Sequence, residues 1–137
     1  MAPLLSFCKD SKLIMIEINP EYEKIFNSHN IDDDCEKIAH KITVEGDRII
    51  EILKAGMYKQ AVTMYLQLMN SLAKHFIEDE HYCYFDDMYS PDYSLRTIYN
   101  EIRKYKIGED AQTLLDIGHS EMMNSDCYQD YGYPSFI

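Results

Sequence analysis

The residues best suited to chemistry crowd into one stretch, HFIEDEHYCYFDDMYSPDY, residues 75–93, which holds His75, Glu78, Asp79, Glu80, His81, Asp86, Asp87 and Asp92. Glu78 and His81 form Glu-x-x-His, the spacing by which helical di-iron proteins set two ligands on one face, and His75 and Asp79 are also one turn apart. A metal-binding helical protein, or a metal-dependent enzyme, using His75, Glu78 and His81 is therefore one reading. Di-iron proteins carry the motif twice with two further glutamates, whereas here it occurs once, and the region of His119 and Glu121 lacks the spacing. Asp86 and Asp87 suggest a carboxylate pair for acid and base work, which requires one pKa raised by burial or by its neighbour. Adjacent carboxylates in a proline-containing loop more often face water or cap the next helix. Cys83 stands near His81, but geometry, not adjacency, defines a nucleophilic pair. The sequence has no Gly-rich phosphate loop, nucleophile elbow or HExxH motif, so no catalytic residue is assigned and no cofactor is expected.

Tyrosine is the more informative residue. Of twelve tyrosines, Tyr82, Tyr84, Tyr89, Tyr93, Tyr128, Tyr131 and Tyr133 fall in this loop, at the next helix start or in the tail CYQDYGYPSFI. Asp86, Asp87, Asp92, Asp126 and Asp130 surround them, with Phe85 beside the aspartate pair. Tyrosine offers a large contact area with few rotors to freeze and a hydroxyl at its tip, and carboxylates steer a basic partner. The partner-binding candidates are Tyr82, Tyr84, Phe85, Asp86, Asp87, Tyr89, Tyr128, Tyr131 and Tyr133, facing another protein of basic character. The plainer role for the same tyrosines is to pin loop and tail to the helices.

The whole chain agrees with a protein partner. It has 137 residues, 24 acids against 13 bases and a formal net charge of -11. From residue 78 onward there are thirteen acids and four bases, whereas the part before is nearly balanced. Nucleic acid is disfavoured, because its phosphates need a positive field. No apolar run approaches the roughly 20 residues that span a membrane, and the first twelve residues do not read as a secretory signal, so a cytoplasmic location is expected. Cys8, Cys35, Cys83 and Cys127 contain no close pair, which favours free thiols over a zinc knuckle.

The elements that must position these residues are read from periodicity. Residues 12–19, KLIMIEIN, alternate as a strand, with residues 4–8 as its partner in a small hairpin. Asn19, Pro20 and Glu21 give a capping residue, a first-turn proline and an acid, opening a short helix. From Asp32, a helical stripe of Cys35, Ile38, Ala39, Ile42, Ile49, Ile52 and Leu53 crosses Gly46 as one bent helix or two shorter ones, ending at Gly56. Residues 58–77 carry a broad apolar face that marks the central helix. Ser90, Pro91 and Asp92 start another, with Leu95, Ile98, Tyr99, Ile102 and Tyr105 inward, and Gly108 closes it. A last helix follows from Glu109 to Asn124, and the aromatic tail is expected to fold back on the body.

The expected fold is mainly α, one domain over residues 1–137: an antiparallel helical bundle or α-hairpin stack of four to five helices with a minor N-terminal β element. Its parts are a strand element and short helix (1–30), a helical hairpin (31–77), the acidic aromatic loop (78–93), two helices (94–125) and the tail (126–137). A further reading makes the chain an assembly subunit that pairs through Tyr65 and Met69 or other apolar residues left exposed on the central helix.

The run ILKAGMYKQAVTMYLQLMNSL, with Gly56, Tyr58 and Ala61 between two helices, resembles a tetratricopeptide hairpin, of which one unit is visible. Over residues 47–125 the chain is also similar to the helical region that accompanies SWIM-type zinc fingers in bacterial proteins, through the Gly-x-Tyr-x-x-Ala helix pair and the loop Phe85, Asp86, Asp87, Met88. The zinc-finger signature, Cys-x-Cys followed by Cys-x-His, is absent, so this resemblance implies a helical accessory or interaction module without a metal or nucleic-acid role.

Overall fold

The computed structural model describes residues 17–27, 31–79 and 91–123, with side chains over 17–25, 36–72 and 94–120. Five helices occupy them: α1 (Pro20–Asn27), α2 (Ile31–Lys54), α3 (Tyr58–Asp79), α4 (Pro91–Ile102) and α5 (Gly108–Met123). The chain is mainly α, and no strand occurs among the described residues. Nearly all of the expected N-terminal hairpin lies outside them; the last three residues of its second strand, 17–19, are described and have no regular structure.

Local chemistry sets the helix ends. Asn19 caps α1: its Oδ1 accepts the Glu21 amide at 3.0 Å, and Pro20 takes the first helical position, where a missing N–H costs nothing. The same side chain donates through Nδ2 to Gln67 Oε1 of α3 at 3.4 Å, so the cap also ties α1 to its neighbour. Helix α2 runs unbroken through Gly46, which settles the choice left open by its sequence. It ends in a Schellman motif, with Gly56 N–H donating to Leu53 O at 2.9 Å and Met57 N–H to Ile52 O at 3.1 Å. That motif needs the left-handed φ of +82° at Gly56, which glycine adopts without strain. Helix α4 ends sooner than expected. At Lys104 and Tyr105 its amides switch to carbonyls three residues back, so Gly108, φ +88°, turns an already finished chain into α5.

Helix α3 is the centre, touching each of the other four. Of its described side chains only Lys59 and Gln60 are exposed. Tyr65, Leu66, Leu68, Met69 and Leu72 are fully enclosed, each such burial contributing about 1.5–3 kcal/mol. Tyr65 and Met69 are therefore not exposed, and assembly through them is excluded, because the other four helices pack around α3. Residues from all five helices join one buried cluster.

Two hairpins, α2–α3 and α4–α5, stack side by side. Helix α4 lies along α2, and α5 along α3. Gly46 of α2 meets Ile98 of α4, and Gly118 of α5 meets Leu66 of α3; a Cβ added to these glycines would fall 2.7 Å and 2.6 Å from the neighbouring side chain. The same chain offset separates Gly46 from Ile98, Leu66 from Gly118 and the turn glycines Gly56 and Gly108. Both turns also line one shared groove. Contacts at matching positions along both helix pairs mean that helices are antiparallel within a hairpin and parallel, in register, between hairpins. Of the two expected architectures the chain adopts the α-hairpin stack.

Candidate functional site

Helices α3 and α4 hold the two ends of the acidic aromatic loop. Helix α3 continues through Asp79, which sets His75 and Glu78 on adjacent turns of its last stretch, and α4 begins at Pro91. The side chains of His75 and Glu78, and all of His81, lie outside the described residues, as do Tyr82, Tyr84, Phe85, Asp86, Asp87, Tyr89, Tyr128, Tyr131 and Tyr133. Among the described residues no group of three or more His, Cys, Asp and Glu stands close enough to hold a metal ion, and no helix is long and apolar enough to cross a membrane.

The described part of the acidic half is α4 and α5. Helix α5 contains no lysine or arginine. Its outer side exposes Glu109, Asp110, Gln112, Thr113 and Asp116, with Ile117 41% exposed among them. Glu109 and Asp110 occupy its first turn, where carboxylates complement the positive end of the helix dipole. Gln112 Nε2 donates to Asp116 Oδ1 at 2.8 Å, holding that carboxylate over the helix surface. Beside the start of α5 the two interhelical turns form an open groove of about 560 Å³, lined by Met57, Tyr58, Ile107, Glu109 and Asp110 among others. Lys59 also lines it, so its charge is mixed.

The arrangement that sequence reasoning missed is internal. Tyr65 of α3, Tyr99 of α4 and His119 of α5 meet in the core. His119 is 3% exposed, and its Nε2 lies 2.9 Å from the Tyr65 hydroxyl. The imidazole meets both phenol rings edge-on, with centroids 5.4 Å from Tyr65 and 4.8 Å from Tyr99. The two tyrosine rings stack at 6.0 Å, and the Arg103 guanidinium lies 5.7 Å from the Tyr99 centroid. Burial pushes the His119 pKa down from 6.5 to about 4, with the Asp116 carboxylate opposing. The imidazole is thus neutral at pH 7 and hydrogen-bonded, as a buried polar group must be. Its enclosure keeps it from serving as a base for an external substrate. The signal was present in the sequence, since His119 follows Ala111 and Leu115 at helical spacing on the buried stripe.

No family model, curated protein or solved structure matches this chain.

A second polar island lies where α1 meets α2. Burial, then the nearby Glu45 carboxylate, raise the Tyr22 pKa to about 12, and Arg48 opposes them. Arg48 pairs with Glu45 at 3.3 Å. The Tyr22 phenol is neutral at pH 7, and its hydroxyl and Glu45 Oε2 are both buried without a hydrogen-bond partner, so α1 is held on the body by apolar packing and by the Asn19–Gln67 bond rather than by this island.

Proposed function

We propose that this chain is a non-enzymatic protein-interaction module whose acidic, tyrosine-rich half engages a basic protein partner, in the manner of an adaptor or of an inhibitor of immunity type. The single observation that carries the reading is the placement of charge. Thirteen of the acids follow residue 77, against four bases, and in the described part of that half α5 lays Glu109, Asp110 and Asp116 on an outer surface with no lysine or arginine in the helix. A packed two-hairpin stack supports the reading, because a preformed scaffold spares the ordering entropy that weakens flexible binders. The loop joining α3 to α4 would then present Tyr82, Tyr84, Phe85, Asp86, Asp87 and Tyr89, and the tail Tyr128, Tyr131 and Tyr133. The carboxylates steer the encounter and the tyrosines supply contact area.

Affinity capture from the native host tests this. The expected result is one specific partner rich in lysine and arginine, held at low salt and released as ionic strength rises. Recovery of an acidic partner that resists salt contradicts it.

A further inference from the structure

We propose that His119 is an acid-operated latch between the two hairpins: protonating its buried imidazole frees α5 from α3 while α2 and α4 stay packed. The seat of α5 on α3 is tight. Leu66 Cδ1 and Cδ2 lie 2.6 Å and 2.7 Å from where a Cβ would stand on Gly118, so the α5 backbone rests directly on that leucine. His119, the next residue, is enclosed by Tyr65 and Tyr99 and bonded to the Tyr65 hydroxyl. An imidazolium there needs hydration, and with its helix pressed on Leu66 the ring reaches water only if α5 leaves its seat.

Among the described residues, the groups around the ring do little to hold a cation. On α5 itself Asp116 favours one, but it is exposed and already accepts from Gln112. Helix α3 contributes the neutral Tyr65. Helix α4 contributes Tyr99, with the positive Arg103 guanidinium over its ring. The folded-state pKa is depressed, so stability from the neutral histidine is complete above 6.5 and is lost as pH falls from there towards 4. Among the described residues the α2–α4 seam has no buried histidine. Gly46 meets Ile98 there, Thr43 Oγ1 lies 3.3 Å from Ser94 Oγ, and Ser94 donates to Ala39 O at 3.1 Å, none of which titrates in this range. Released, α5 uncovers Leu66, Leu114 and Leu115, so acid exposes apolar surface on an otherwise folded chain.

Hydrogen exchange of the full chain, read by mass spectrometry at pH 7, 6 and 5 and corrected for intrinsic rates, tests the latch. Protection over residues 111–120 is expected to fall about twentyfold from pH 7 to 5, while protection over residues 38–53 holds. His119→Gln, and separately His119→Phe, should remove the pH dependence of α5. The latch is overturned if α5 loses protection equally in a folded non-titrating variant, or if α2 and α5 lose it together in the wild type.

Discussion

At Gly46, helix propensity and packing pull in opposite directions. Alanine in a helix interior is favoured over glycine by about 1 kcal/mol, yet here its methyl would stand 2.7 Å from Ile98 Cγ1 and 3.0 Å from Cδ1, inside the main seam between hairpins. Overpacking of this kind costs about 1–3 kcal/mol, so it wins. Gly46→Ala is expected to lower the urea midpoint, and in an Ile98→Ala background, where both contacting carbons are gone, the same substitution should cost less. A stabilised Gly46→Ala protein would show that the two helices do not meet there. From sequence alone Gly46 reads as a weak point in a helix, because its reason for being small stands on another helix half a chain away. The His119 cluster was hidden in the same way. Tyr99 read as an inward-facing position, Tyr65 lay on the broad apolar face of α3 and His119 was passed over, and only the stacking of α3, α4 and α5 brings the three within one contact distance.

The elements themselves were largely legible. Asn19 with Pro20, Pro91, Gly56 and Gly108 mark starts and turns by local backbone chemistry, and the buried stripes of α2, α3, α4 and α5 follow the apolar period. What local signals leave open is pairing. Hairpins with short turns are antiparallel in either a bundle or a stack, and the choice is made by the glycine contacts between helices distant in sequence. The turn glycine gives a test at this scale. Nothing lies within 4 Å of a Cβ on Gly56, so its role is conformational alone. Gly56→Ala should cost about 1–2 kcal/mol for holding a non-glycine residue at φ +82°. Gly56→Asn should cost less, because asparagine tolerates that conformation. Thermal melts that rank the two variants in the opposite order would point to a packing role instead.

For the whole molecule, the decisive feature is that charge and scaffold are divided along the chain. The acids gather after residue 77 with most of the tyrosines, while α2 and α3 form the apolar frame against which α4 and α5 are set. The uneven charge was legible as a count along the chain. Its spatial meaning is visible in part, on the outer side of α5, and the loop and tail candidates fall outside the described residues. A binding role for them makes a claim separable from stability, since α3 and α4 are built from their own buried stripes. The most direct measurement is the affinity of the captured basic partner for the wild type and for a variant carrying Tyr84→Ala, Asp86→Ala and Asp87→Ala, with melting temperatures taken alongside. Affinity should fall about tenfold or more at an unchanged melting temperature; equal affinity for the two proteins would contradict the proposed role of the loop.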